Sequence, residues 1–147
     1  MLDANQLKKG GEMHLIQYHD IAFRKRVKEE YDRSEDILVG PELTESSVAA
    51  AVRMKKGFET ETHAHNNEEQ IFIVLKGKGE LTIEDETKEI EGGMAVYIPR
   101  KAQHRILAVS DELVYIYISI WPEKKPENMK PKIYREGRVL NIKYETV

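Results

Sequence analysis

The chain has 147 residues, a length that suits one domain with its own hydrophobic core. Its 23 basic and 26 acidic residues give a formal net charge of −3, so we expect no electrostatic attraction to nucleic acid or to an anionic membrane. Disulfides, thiolate metal sites and cysteine nucleophiles are excluded because the chain has no cysteine. The N-terminal stretch has no continuous apolar run, and no apolar run in the chain could span a membrane, so we expect a cytoplasmic protein.

Short runs rich in β-branched and aromatic residues recur along the chain and predict strands. In chain order they occupy residues 12–18, 46–54, 70–76, 79–84, 94–98, 104–109, 112–121 and 138–144. The glycine-containing segments 76–79 and 91–93 are predicted to be turns between paired strands. Regularly spaced short strands with little helix favour a closed or sandwiched all-β domain.

Three segments outside these strands have a different character. Residues 19–35 form the one predicted helix, because apolar residues spaced four apart fall on one face. The Pro- and Lys-rich segment 122–132 is predicted to interrupt strand pairing. It would carry the strand-like tail 133–144 across the surface or onto a partner chain.

Three of the five histidines lie at positions 63, 65 and 104. Residues i and i+2 of a strand point to the same side, so His63 and His65 can converge on one ion. Gln70 or Glu69 can supply a third ligand, and His104 a fourth from the start of another strand. Histidine nitrogen with an amide or carboxylate oxygen suits one divalent transition-metal ion: Zn, Fe, Mn, Ni, Co or Cu. As an alternative to a role as catalytic acids, Glu68 and Glu69 are expected at a solvated loop edge.

The spacing around the first two histidines resembles the first motif of the cupin superfamily. That motif has Gly, five residues, His-x-His, three or four residues, Glu, six residues and Gly. The chain follows it from Gly57 through His63 and His65 to Gln70 and Gly77. Gln70 stands where the family has Glu. The alternative at this position is the neighbouring Glu69, which fits the spacing from His65 but lies one residue too far from Gly77.

The second cupin motif has Gly, five residues, Pro-x-Gly, two residues, His, three residues and Asn. Gly93, Pro99 and His104 occupy the matching positions, whereas Lys101 replaces the second Gly and Ala108 replaces Asn. The resemblance implies an RmlC-like jelly roll, a small antiparallel β-barrel that holds one divalent metal ion per chain. The expected organisation is a single cupin domain over residues 1–147, with motifs at 57–77 and 93–108 and an N-terminal extension over 1–45 that contributes strands.

A neutral amide at position 70 bears on the expected reaction. Non-haem Fe(II) oxygenases favour two histidines and a carboxylate, whereas a neutral ligand leaves the full charge on the metal. The resemblance therefore implies a metal-dependent isomerase or lyase that acts on a small oxygenated molecule such as a sugar or sugar acid. The spacing is similar to that of small cupins that linearise unsaturated uronates. A cupin dioxygenase that uses Fe(II) and O2 and a non-catalytic small-molecule-binding cupin are the alternatives.

Strand alternation predicts which side chains border the metal and which face away. The candidate pocket residues are Phe72, Val74, Tyr115 and Tyr117, although the face with the two tyrosines would suit a dimer interface as well. Arg53 is a candidate cation for a substrate carboxylate or phosphate, and the favoured alternative is that it is a surface charge. The opposite face of the strand over 112–121 carries Val114 and the isoleucines at 116, 118 and 120. A second sheet or another subunit must cover that face, so we expect a homodimer that uses the N- or C-terminal strands.

Overall fold

The computed structural model describes residues 13–15, 33–126, 129–136 and 139–146. This part of the chain contains β-strands and no helix, so it has no helix of the length and apolarity that a membrane span needs. The strands are β1 (Arg33–Val39), β2 (Ser47–Lys55), β3 (Glu69–Lys76), β4 (Lys78–Ile83), β5 (Glu86–Glu91), β6 (Ala95–Ile98), β7 (His104–Ala108), β8 (Glu112–Ile120), β9 (Met129–Glu136) and β10 (Val139–Thr146).

The strands form two antiparallel sheets and a separate hairpin. The larger sheet has the order β1-β2-β8-β3-β6, and the smaller has the order β5-β4-β7. Strands β9 and β10 pair with each other, and β10 lies beside β1. The architecture is the all-β jelly roll that the sequence predicts.

The segment that follows β2 lies along the free edge of β7 and extends the smaller sheet. Backbone hydrogen bonds join Gly57 N to Ala108 O at 2.9 Å and Thr60 N to Ile106 O at 3.0 Å. The ladder ends at a bridge between His63 and His104, with N–O distances of 3.1 and 2.9 Å. Backbone pairing therefore brings together two histidines that are far apart in sequence.

The hydrophobic core fills the space between the two sheets. Its fully buried members include Val52, Met54, Val74, Ile98 and Leu113. They come from alternate positions of their strands, as expected where one face of a sheet packs inward. The interior is thus built by the period-two pattern that predicted the strands.

Several local predictions are wrong. The segments 76–79 and 91–93 do not join paired strands: each crosses from one sheet to the other, because β3 pairs with β6 and β8 while β4 pairs with β5 and β7. Gly77 makes the first crossing possible. Its φ is +84°, and a Cβ there would lie 1.8 Å from the carbonyl oxygen of Glu112.

The helix predicted for 19–35 is wrong at its end, since residues 33–35 belong to β1, and the rest lies outside the described residues. The predicted strand 12–18 also falls mainly outside them. The segment 122–132, predicted to interrupt strand pairing, includes the start of β9. The mainly charged β5 went unpredicted: five of its six side chains are exposed, and its pairing with β4 defines it.

Candidate metal centre

His63, His65 and His104, here called the histidine triad, meet at one end of the barrel. His104 is the first residue of β7, and the other two lie in the segment between β2 and β3. Their ring centroids are 4.3 to 5.4 Å apart. One ligand atom from each ring lies within 4.8 Å of the others. The structure thus brings together the three histidines that the sequence singles out.

The Nδ1 atom of each triad ring faces an oxygen acceptor. His63 Nδ1 lies 2.7 Å from the carbonyl oxygen of Glu61, and His104 Nδ1 lies 3.0 Å from that of Ala102. His65 Nδ1 lies 3.3 Å from Oε1 of Glu68. An acceptor at Nδ1 holds the ring proton there, so the Nε2 lone pair remains available to a metal ion.

The Nε2 atom of His104 is buried and has no hydrogen-bond partner among the described residues. Burial, with a smaller effect of the two neighbouring imidazoles, lowers the pKa of His104 to about 4. Burial and His63 also lower the pKa of His65. At neutral pH these two rings are therefore uncharged bases, the form that binds metals.

The spacing of the triad fits a transition-metal ion with a small adjustment. Three nitrogens bound to one zinc ion at roughly 2.1 Å lie about 3.4 Å apart in tetrahedral geometry. The triad atoms lie within 4.8 Å of one another, so binding would draw the rings inward. The orphaned buried nitrogen of His104 is the observation that makes the residues fit the group.

Gln70 and Glu69 point to opposite sides of β3. Gln70 is buried, and its Nε2 donates to Ser119 Oγ at 3.1 Å. Glu69 accepts a hydrogen bond from the exposed Tyr97 on the outer face. Alternation along the strand therefore places the amide on the interior side and the Glu69 carboxylate on the other side.

Glu68 does not lie at a solvated edge, and this expectation is wrong. Its side chain is only 19% exposed and approaches His65. Burial raises the pKa of Glu68, although hydrogen bonding to Ser119 and the proximity of His63 oppose the rise. Sequence reasoning missed it because three consecutive polar residues before a strand resemble a surface turn.

The predicted pocket residues lie in different parts of the barrel. Phe72 borders the triad, with its ring centroid 6.5 Å from that of His104. Val74 and Tyr115 are 1% and 2% exposed and fill the core instead, where Tyr115 lies against Phe72 at 4.8 Å. Tyr117 is partly buried and packs against the same core.

Arg53 is a surface charge and not a pocket residue, so the favoured of its two interpretations holds. On β2, Val52 and Met54 face the core, so Arg53 lies on the outer face. Its guanidinium contacts Oε2 of Glu112 at 2.7 Å through both Nε and Nη2. A paired arginine on the outside of the barrel has no access to the triad.

A second polar cluster faces the interior of the barrel and was also missed. Arg33 Nη1 donates to Glu35 at 2.8 Å, and the hydroxyl of Tyr117 donates to the same carboxylate. Both β1 residues face the core, since Glu35 pairs with Val52 and Arg33 with Met54. We call Arg33, Glu35 and Tyr117 the arginine cluster. Its charges gave no sequence signal because inward-facing charges on a strand invert the usual alternation.

A protein family described as Cupin domain matches residues 50–121 of this chain. This range contains the whole histidine triad, Gln70 and Ser119. It begins within β2 and ends one residue after β8. The matched region is therefore the part of the chain that forms the candidate site.

An uncharacterised protein of Methanocaldococcus jannaschii is 27% identical over 116 residues, which is 71% of this chain and 93% of that protein. Among solved structures, KdgF from Halomonas sp. has a TM-score of 0.59 and 21% identity, covering 68% of this chain and 90% of that one. A predicted oxalate decarboxylase from Thermotoga maritima has a TM-score of 0.58 and 18% identity, covering 60% and 80%. At these identities the solved structures show the fold alone.

Proposed function

Because this chain belongs to the cupin superfamily, we propose that it is a metal-dependent enzyme. The histidine triad and Gln70 would hold one divalent transition-metal ion. The substrate would be a small oxygenated molecule such as a sugar or sugar acid. The reaction would be of the isomerase or lyase type.

The observation that carries this proposal is the set of three converging imidazoles with their Nδ1 atoms already engaged. A buried nitrogen acceptor without a donor is destabilising, and His104 Nε2 is in that position. His65 and His104 have lowered pKa values, so at neutral pH no added proton occupies the free nitrogen lone pair. A bound cation would occupy it.

The chemistry of the ligands supports a Lewis-acid role. A divalent ion bound here would polarise a carbonyl or hydroxyl oxygen. Three neutral imidazoles and a neutral amide leave its full charge to act on that oxygen. The carboxylate of the two-histidine oxygenase pattern would be absent from this set, which favours isomerase or lyase chemistry over O2 chemistry.

The chain's own residues would orient the substrate at the triad. Phe72 closes one side with an apolar ring beside His104. Ser119 and Gln70 are buried polar groups on neighbouring strands at the same level of the barrel. One apolar wall and a few converging polar groups are typical of a small-molecule site.

The description of the Thermotoga structure as a predicted oxalate decarboxylase supports the same general class, a small oxygen-rich acid. It supports nothing more specific, because the likeness is one of fold alone. The first substrate panel would contain sugar acids and diketones.

The test is elemental analysis of protein purified without a metal-affinity tag, followed by turnover of that panel with and without metal. About one divalent ion per chain and metal-dependent isomerisation or elimination are expected. Metal without turnover of any compound would favour a binding protein. Consumption of O2 with Fe(II) would favour a dioxygenase.

We also propose that the chain forms a homodimer. On the outer face of the larger sheet, the apolar side chains of Ile73 and Tyr97 are 38% and 55% exposed. A second copy would cover these apolar groups. Light scattering tests this, and a mass near the 17.0 kDa of one chain would refute it. A dimer that survives deletion of residues 130–147 would exclude the C-terminal strands from the interface.

A further inference from the structure

A row of neighbouring polar side chains connects the histidine triad to the amide of Gln70. Gln70 Nε2 donates to Ser119 Oγ at 3.1 Å. Hydrogen bonding to Ser119 opposes the rise in the pKa of Glu68, which places these two side chains beside each other. Glu68 in turn approaches His65, with 3.3 Å between Oε1 and Nδ1. The order along the row is Gln70, Ser119, Glu68 and His65.

The protons in this row have one arrangement that satisfies every group. An ionised carboxylate can only accept, so Glu68 receives the Ser119 hydroxyl proton and the Nδ1 proton of His65. The hydroxyl has one proton, which is used on Glu68, so Ser119 can only accept from Gln70. The NH2 group of Gln70 therefore faces the serine, and its carbonyl oxygen is turned away from it.

We infer that Glu68 is a positioning residue that sets two metal ligands at once. It keeps the proton of His65 on Nδ1, which frees Nε2, and through Ser119 it fixes which end of the Gln70 amide faces the barrel interior. This inference rests on the proposed metal site. A carboxylate that the family places at position 70 as a ligand is thus present here at position 68, where it orients ligands instead.

The substitution Glu68→Gln separates this role from a simple loss of charge. The new amide must present its NH2 group either to Ser119 or to His65. If this NH2 group faces Ser119, the serine hydroxyl must donate to Gln70 instead. The Gln70 amide must then flip, so that its carbonyl oxygen faces the serine and its NH2 group faces away. If the NH2 group at position 68 faces His65, it makes Nδ1 an acceptor and moves the ring proton to Nε2. Either arrangement removes one ligand.

Zn²⁺ and Co²⁺ titrations of the metal-free full chain test the inference, with Co²⁺ absorption reporting the ligand set. Glu68→Gln should weaken binding by about 10–100-fold, the usual effect of losing a group that orients a ligand. The matched control is Glu69→Gln, which removes the same charge from the adjacent residue but on the outer face. Equal affinities in the two variants would overturn the inference.

A double-substitution cycle gives a second, independent reading. In Glu68→Gln with Gln70→Glu, the two hydrogen bonds of Ser119 reverse their direction. The new amide at position 68 donates to Ser119 and still accepts from His65 through its carbonyl, while Ser119 donates to the new carboxylate at position 70. The gain in affinity from Gln70→Glu should therefore be larger in the Glu68→Gln background than in wild type, where two carboxylates compete for one serine proton. Equal gains in both backgrounds would show that the positions act independently and would overturn the inference.

Variants of Ser119 provide a further test in case a position-68 variant unfolds, which circular dichroism would reveal. Ser119→Ala should weaken metal binding, and Ser119→Thr should restore it because threonine keeps the hydroxyl. Equal affinities for Ala and Thr would overturn the role of the row. If wild type itself binds neither ion, the proposed function fails; if wild type binds and the variants match their controls, only this inference fails.

Discussion

The histidine triad and the arginine cluster are two polar groups inside the same barrel, and they differ in charge compensation. In the arginine cluster, a cation meets an anion at 2.8 Å and a hydroxyl donates to the same anion. Burial and the nearby carboxylate raise the pKa of Tyr117, so its proton stays in place. In the triad, three bases converge and their Nδ1 protons point outward to acceptors.

Each cluster contains one buried atom without a partner in the described part of the chain: Arg33 Nε and His104 Nε2. The two atoms have opposite chemistry. The first is a donor on a guanidinium whose charge Glu35 already balances. The second is a lone pair beside other lone pairs, and one bound cation would satisfy several of them together. The comparison therefore supports a structural role for one cluster and the proposed metal-binding role for the other.

The largest expected effect is loss of the metal when two triad members are removed. His63→Ala with His65→Ala leaves one imidazole, so bound metal should fall from about one ion per chain to nearly none. Elemental analysis measures this. Glu35→Gln, in the other cluster, is the control and should keep its metal. Equal metal content in wild type and the double variant would contradict the assignment.

The second effect belongs to the arginine cluster and concerns stability. Glu35→Ala leaves the partly buried charge of Arg33 without its partner and should lower the free energy of unfolding by about 3 kcal/mol. Replacing both residues, with Arg33→Met and Glu35→Leu, should be less destabilising. Urea unfolding of the metal-free proteins measures both. If the single variant were as stable as wild type, the pair would have no structural role.

The third effect is a pH dependence specific to the triad. The pKa of His104 is about 4 in the folded protein, below its ordinary value of 6.5, so the unfolded chain binds the proton first as pH falls. The metal-free protein should lose stability between about pH 6.5 and pH 4, at up to about 1.4 kcal/mol per pH unit for this group, and the loss from His104 should level off below pH 4.

Unfolding curves of wild type and His104→Gln across this range measure the contribution. The free energy of unfolding of the variant should still fall with pH, but less steeply, because His65 remains and its pKa is also lowered. Superimposable slopes would show that His104 is not held neutral by burial.

The fourth effect separates the two candidate ligands on β3. Gln70→Ala should weaken metal binding by at least ~10-fold, because removal of a ligand should matter no less than removal of a group that supports one. Glu69→Ala should have little effect, since its carboxylate faces the outer surface. Isothermal titration with Zn²⁺ compares them. The reverse order would transfer the ligand role to Glu69.

The smallest effect lies in the backbone beside the triad. Lys101 replaces a glycine of the second cupin motif and has a φ of +70°, a conformation that destabilises most side chains by about 1–2 kcal/mol. Its N–H donates to the carbonyl oxygen of His65 at 2.7 Å. Lys101→Gly should stabilise the protein by about 1 kcal/mol without changing metal affinity. An unchanged melting temperature would show that the strain is absent.

The sequence alone predicted most strands and the three histidines. Periods of two residues are local, and β2, β3 and β8 begin and end within one residue of the predicted bounds. Local spacing also placed His63 and His65 on a common side. It left Gln70 and Glu69 as alternatives, because two adjacent polar residues satisfy the same spacing.

Only the tertiary structure decided which strands pair and which side chains meet. Pairing joins residues that are distant in sequence, so nothing in the segments 76–79 and 91–93 shows that they cross between sheets. Glu68 and Ser119 lie close together because β3 pairs with β8, and Arg33 and Glu35 face the interior because β1 pairs with β2. A charge has the same appearance in a sequence whether water or a partner side chain surrounds it, and the folded chain alone determines which of the two it has.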